Sequence, residues 1–319
     1  MTVPEHSKRI LVIGEVCREA EIPALTRDGP GRLVSRGEVE TGAGGDGLSA
    51  AVALACFGHE ALLCSVIGTD PDGKTVSRQI SGIDVPGRGK FDPRFVRQDA
   101  ASGTPMRIIL PKTEKYPPET VLVRPDGYEI TPEVVGDAFM CYPEVTVLMN
   151  GVSQEGYGII SEKTQKRSSA LFVADCTDAQ SLRALGKCDV LSLPEERVTA
   201  ITGIALSDQS GCLRAVARLS ELIKSDYVVL RLPERGFFVS DSSFYSFIPA
   251  YDIPPADARA NDALFTAMFV HSYIESEGDL RSSCEYGAAA VAAYVTSGSG
   301  MLPNDAGIRK FAQQNGIKL

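Results

Sequence analysis

Thr41-Gly-Ala-Gly-Gly-Asp-Gly-Leu-Ser-Ala-Ala-Val-Ala-Leu54 is a glycine-rich turn running into a small-residue helix. The pattern predicts a helix over Leu48–Phe57, closed by Gly58 at its C-terminal end. Upstream, Arg9–Ile13 reads as a strand that stops at Gly14; downstream, Ala61–Ile67 reads as the next buried strand. Strand, turn, helix and strand in that order open a βαβ chain. Val145–Met149, Ala170–Ala174, Asp189–Leu193 and Tyr227–Leu232 extend it, each a continuous rather than alternating apolar run. Continuous runs suit strands covered on both faces, as in a parallel sheet. Between them lie helical patterns such as Leu213–Lys224, and the tail predicts helices over Asn261–Glu275, Cys284–Thr296 and Asp305–Gln314. This alternation predicts an α/β fold: a doubly wound, mostly parallel sheet flanked by helices, with ligands at the carboxyl ends of the strands.

Two segments break the alternation. Residues 18–42 and 104–131 carry β-branched residues, prolines and charges without helical period, which predicts strands projecting from the body as a small β lid. Residues 80–103, rich in Gly, Pro, Asp and Arg, read as a surface connection. With no repeat and no low-complexity tract, residues 1–319 are expected to form one α/β domain.

Composition narrows the function. The 319 residues carry 32 Lys and Arg against 41 Asp and Glu, a net charge of −9, which argues against nucleic-acid or anionic-membrane partners. No run approaches the roughly 20 apolar residues of a spanning helix, and the polar start shows no signal peptide. Eight cysteines without a CxxC pair, mostly in apolar runs, suit reduced thiols in the cytoplasm. With three histidines, none at ligand spacing, no metal cluster or His-based triad is expected.

Two stretches can carry chemistry. The turn at 41–47 brings backbone N–H groups close to a ligand at a helix N-terminus, or simply joins strand to helix. Ile248-Pro-Ala-Tyr-Asp-Ile-Pro-Pro-Ala-Asp-Ala-Arg-Ala-Asn-Asp262 leads a broken strand into a second helix. A carboxylate in that first turn either complements the helix dipole or stands as a base beside an anion-binding helix end.

The order of the pieces says more than any one of them. Ile10-Leu-Val-Ile-Gly-Glu15, Gly44-Gly45 before the Ala-rich helix, and Ser65-Val-Ile-Gly-Thr-Asp-Pro-Asp-Gly73 come in turn. Val173-Ala-Asp175, Asp189-Val-Leu191 before Thr202-Gly203, and Glu234-Arg-Gly236 follow. Ile248-Pro-Ala250 and Ala260-Asn-Asp-Ala-Leu-Phe265 close the series. Over residues 9–315 the chain resembles the ribokinase-like (PfkB) carbohydrate kinase family. The resemblance implies a β lid over a sugar site and transfer of the γ-phosphate of ATP, with Mg2+, to a hydroxymethyl group of a sugar or nucleoside. It makes Asp262 the base that takes the hydroxyl proton, and it implies a homodimer through the lid.

The departures from the family gather at the site. Its Gly-Ala-Gly-Asp reads Arg259-Ala-Asn-Asp262 here, so both glycines are gone and Asn261 takes the place of one. Arg259 either meets phosphate oxygens or fills a vacant surface position. The family's magnesium-supporting Asn-x-x-Glu falls on Pro194-Glu195-Glu196-Arg197, where Glu195 or Glu196 substitutes after a register shift or merely starts a helix. Its Thr-x-Gly falls on Arg231-Leu-Pro233, leaving Gly236 for the nucleotide loop. On the sugar side Gly44, Gly45 and Gly47 are kept, Glu19 stands for an Asp, Ser49 for an Asn, and Cys17 for another polar contact. Two readings follow: a divergent kinase, or a pseudokinase that binds a sugar, nucleoside or protein without phosphoryl transfer.

Overall fold

Ile10, Leu11, Val12 and Ile13 are wholly buried on both sides of their strand, which places that strand in the middle of a sheet. The computed structural model describes residues 7–28, 33–35, 37–111, 119–232, 235–241, 243–251, 261–297, 301–317 and 319. β1 (Arg9–Ile13) pairs in parallel with β6 (Glu60–Gly68) and β10 (Val145–Leu148). Beyond β10 the parallel run continues through β11 (Ala170–Val173), β12 (Lys187–Pro194) and β13 (Lys224–Leu232). The antiparallel strands β14 (Gly236–Ser240) and β15 (Tyr245–Pro249) finish that side. β7 (Lys90–Asp99) forms the opposite edge of the nine-stranded sheet, beside β6.

Helices cover both faces. Ile10 and Val12 join a core built with α1 (Asp46–Cys56), α2 (Pro71–Ser81), α8 (Asn261–Glu275), α9 (Leu280–Ser297) and α10 (Asp305–Gln314). Leu11 and Ile13 join the other, with α3 (Pro132–Ala138), α4 (Gln154–Arg167), α5 (Ala179–Leu185), α6 (Glu195–Thr202) and α7 (Gln209–Ser220). Each of these buried Ile or Leu side chains contributes about 1.5–3 kcal/mol relative to exposure, so β1 ties the two cores together.

A smaller four-stranded sheet stands apart, in the order β5 (Glu40–Gly44), β2 (Cys17–Glu21), β8 (Met106–Leu110), β9 (Glu119–Val123). A short hairpin, β3 (Leu25–Arg27) with β4 (Leu33–Ser35), lies between β2 and β5 in the chain. All five residues of β9 are exposed.

Two expectations need correction. The connection expected over 80–103 holds β7, whose Pro93 and charged neighbours are tolerated because it is an edge strand; its pairing shifts register between Leu62 and Cys64 of β6. The helix expected over Leu213–Lys224 begins at Gln209, where Asp208 accepts from the Gly211 N–H, and ends at Ser220. Leu222 and Ile223 stay in the apolar pattern because they are buried in the turn before β13. All eight cysteines are free. Among the described residues no helix is long and apolar enough to cross a membrane.

Candidate functional site

The seven parallel strands of the large sheet, β7, β6, β1 and β10 to β13, point their carboxyl ends at one edge, and charge collects there. Pairing of Ile13 with Leu148 and of Leu148 with Val173 sets Glu15, Asn150 and Asp175, each two residues past its strand, at matching heights. Glu195 directly follows β12, whose Pro194 pairs with Arg231 near the end of β13.

The first cluster joins this edge to the smaller sheet. Glu15 is wholly buried; its N–H donates to Asn150 Oδ1 at 2.9 Å, and Arg124 Nε donates to its Oε2 at 2.7 Å. Burial pushes the Glu15 carboxyl above its ordinary range, against the pull of Arg124. Its Oε1 makes no hydrogen bond among the described residues. Asn150 Nδ2 donates to Asp46 Oδ2 at 3.2 Å. Arg107, from β8, donates through Nη2 to Asp46 Oδ1 at 2.7 Å and sets Nη1 3.3 Å from Glu19 Oε1. Burial works against the Arg107 charge, yet Asp46 and its other anionic neighbours hold the group above its ordinary pKa.

Glu19 lies over the glycine turn. The Gly45 N–H donates to its Oε1 at 3.2 Å, and a Cβ on Gly44 would fall 2.0 Å from its Cδ. Gly45 has φ +107°, and a Cβ there would meet Glu15 O at 2.4 Å. Ser49 is half-buried one turn into α1, and Cys17 is buried opposite Gly44 in the β2–β5 ladder. A cleft of ≈ 190 Å³ opens beside Glu19, lined also by Glu21, Glu40, Thr41, Gly42 and Ile109. Its carboxylate, hydroxyl and backbone acceptors suit a ligand rich in hydroxyl donors.

The second cluster sits at the carboxyl ends of β11 to β13. Asp262, in the first turn of α8, is 54% exposed, with Oδ1 3.4 Å from Arg231 Nε. The Arg231 side chain is only 8% exposed. Its Nη2 donates to Ala174 O at 2.9 Å and its Nη1 to Thr266 Oγ1 at 3.4 Å, while Nε makes no hydrogen bond among the described residues. Arg197 donates through Nε to Asp175 Oδ1 at 2.9 Å and through Nη2 to Oδ2 at 3.3 Å. Burial pushes the Asp175 carboxyl up, opposed by Arg197 and Arg231.

The remaining expected residues divide. Glu195 accepts from Arg235 Nη2 at 2.8 Å, and Glu196 is exposed in the first turn of α6. Gly236 starts β14 with φ +112°, where a Cβ would lie 2.0 Å from Ile248 O, so strand packing already accounts for that glycine. Asn261 is the first residue of α8, and Arg259 lies outside the described residues. Arg107, Arg124, Asp46, Asn150 and Asp175 were not foreseen in these contacts. The one usable signal was a lone arginine inside the apolar run Met106-Arg-Ile-Ile-Leu110.

The residues aligned with the family's magnesium support do not fit a divalent cation. Pro194 offers no side-chain oxygen, Glu195 is engaged by Arg235, and Arg197 brings a positive charge onto Asp175. Among the described residues no group of three or more His, Cys, Asp or Glu is placed to hold a metal ion.

Comparison with known proteins agrees with this architecture. The family model described as pfkB family carbohydrate kinase matches residues 7–306. A ribokinase of Haemophilus influenzae is 22% identical over 298 residues, covering 91% of this chain and 92% of that protein. The structure of Arabidopsis thaliana ribokinase complexed with ribose and ATP aligns with TM-score 0.74 at 16% identity, over 96% of this chain and 99% of the other. Phosphofructokinase-2 of Escherichia coli in complex with fructose-6-phosphate aligns with TM-score 0.71 at 15% identity, over 96% and 99%.

Proposed function

Because the chain belongs to the pfkB family of carbohydrate kinases, we propose that it is an ATP-dependent kinase acting on a hydroxymethyl group of a sugar or nucleoside. In this reading Asp262 takes the hydroxyl proton, the oxygen forms a bond to the γ-phosphorus, the bond to the bridging oxygen breaks, and ADP leaves. The supporting observation is the position of Asp262: half-exposed, in the first turn of a helix, at the carboxyl edge of the parallel strands. The smaller sheet serves as the lid, with Glu19, Gly44, Gly45 and Ser49 on the acceptor side. Arg231, Asn261 and the Glu195–Glu196 turn are assigned to the nucleotide side, as is Arg259 from its place in the sequence alone. No step is assigned to Mg2+, since the residues present do not fit it.

The test is a screen of sugars and nucleosides with ATP, scored by ADP release, on the parent chain and Asp262→Asn. Turnover in the parent with a loss of at least about 10²-fold in the variant, sugar binding being kept, supports the reading. Unchanged turnover removes Asp262 as the base.

A second reading, binding of a sugar or nucleoside without transfer, is favoured by one specific contact. Arg231 faces Asp262 at 3.4 Å, so the candidate base has an internal cationic neighbour. Ligand-induced stabilisation by a sugar, with none by ATP, would select it. In either case we propose that two copies pair through β9, the exposed edge of the smaller sheet.

A further inference from the structure

We propose that the second cluster is a metal-independent phosphate subsite, in which Arg197 and Arg231 meet the polyphosphate of a nucleoside di- or triphosphate in place of a divalent cation. The proposal rests on the kinase reading only for naming the anion as a nucleotide; the subsite itself is argued from charge and geometry. A divalent cation at this edge would need carboxylate oxygens, and it dehydrates reluctantly without them. Of the carboxylates at the ends of β11 to β13, Asp175, Asp262 and Glu195 each already stand against a guanidinium, and Glu196 is exposed in the first turn of α6. A metal would have to displace those arginines and then sit beside them.

An anion meets the opposite situation. The Arg231 guanidinium is anchored on Ala174 O and Thr266 Oγ1, which fixes its plane, while its buried Nε–H is left without a hydrogen bond among the described residues. That Nε–H faces Asp262 Oδ1 at 3.4 Å without closing a hydrogen bond, and a phosphate oxygen supplies a better-placed acceptor. Asp262 is exposed enough to turn aside as the oxygen arrives. Arg197 holds Asp175 with Nε and Nη2, and its side chain remains 35% exposed, which leaves part of its planar fork open to solvent. The N-terminal end of α8, fifteen residues long, adds its positive dipole end at the same place.

The experiment titrates pyrophosphate and ATP onto the full chain by calorimetry, in EDTA and in millimolar magnesium. The expected result is binding of both probes in EDTA, at least as tight as in magnesium. Arg197→Gln should then weaken pyrophosphate binding by about tenfold or more, as loss of a charge-assisted donor pair does. Arg231→Lys, which keeps the charge and removes the fork, should do the same. Should that buried substitution fail to fold, the partly exposed Arg197 variant still decides. Binding seen only with magnesium, no binding of either probe in EDTA, or unchanged affinity in Arg197→Gln each overturns the proposal. ADP release with a hydroxyl acceptor is scored separately. Turnover together with magnesium-only nucleotide binding removes this subsite and leaves the kinase reading. Binding in EDTA without any turnover does the reverse.

Discussion

Arg107 of β8 reaches Asp46 in the first turn of α1, Nη2 to Oδ1 at 2.7 Å, across the seam between the smaller sheet and the body. The same guanidinium lies 3.3 Å from Glu19, so one buried cation serves two partly exposed carboxylates. Arg107→Met leaves both carboxylates without their cation. It should destabilise the protein by about 3 kcal/mol, at the lower end of what breaking a buried ion pair costs, because water can reach the two acids. Urea unfolding measures it; a loss below about 1 kcal/mol would show that solvent already screens the cluster.

The glycine turn separates function from folding in two adjacent residues. Gly44→Ala puts a methyl against the end of the Glu19 side chain, which can swing away. That variant should remain folded and lose affinity for the hydroxyl ligand. Gly45→Ala meets backbone at Glu15 O with φ +107°, and should cost about 1–3 kcal/mol of stability. Equal effects of the two on unfolding would refute the distinction.

Two buried histidines make stability acid-sensitive. His59 Nδ1 accepts from the Lys8 N–H at 3.2 Å, so its Nε2 carries the proton and donates to His271 Nδ1 at 3.0 Å. Burial lowers both pKa values, His59 to about 3 with help from His271, and His271 to about 4. The unfolded rings protonate near 6.5 and the folded ones do not, so stability is full above pH 6.5 and falls toward pH 4. The slope is at most about 1.4 kcal/mol per pH unit for each ring. Glu15 and Asp175, raised by burial, act in the opposite sense as pH rises through the carboxylate range. The informative comparison is therefore parent against His59→Gln/His271→Gln: the variant should show a flatter denaturation midpoint between pH 6.5 and 4.5. Parallel profiles would count against the pair.

The edge at β9 predicts an oligomer. Val121, Leu122 and Val123 are 44%, 38% and 49% exposed on a strand whose outer side has no partner among the described residues. Such an edge favours pairing with another strand unless it is charged. Sedimentation should show a dimer, and Val121→Lys with Val123→Lys should shift it to monomer. A parent that sediments as a monomer at tens of micromolar would end the proposal.

Legibility in the sequence followed locality. β1, α8 and α10 were readable to the residue, because each is bounded by its own glycine, charge or capping residue and carries its own apolar pattern. β7 was not: an edge strand with Pro93 at its centre looks like a loop until β6 supplies its partner. The same division holds at the site. Gly44, Gly45 and Asp262 stand in short stretches that single them out as candidates, whereas Glu19 is named by the family resemblance alone. Arg107 with Asp46, separated by 61 residues, and Arg124 with Glu15, separated by 109, become neighbours only when the chain has wound through the sheet. Arg197 was visible as a departure, but its partner Asp175 belongs to a different strand end.

Arg107 and Arg124 are both carried by the smaller sheet or its exit, and both grip acids of the main body. These two ion pairs, with the Arg18–Asp72 pair between β2 and α2, fasten the sheet alongside the packing of Ala43 against the main core. Ions compete with such pairs wherever water reaches them, as it does at Arg124 and Asp46. In the proposed kinase, with the smaller sheet as lid, ionic strength would then set how often the acceptor cleft is uncovered. Amide exchange along β2 and β8 should quicken with added salt while the nine-stranded sheet keeps its rate, so this protein would exchange its ligands faster in brine than in dilute buffer.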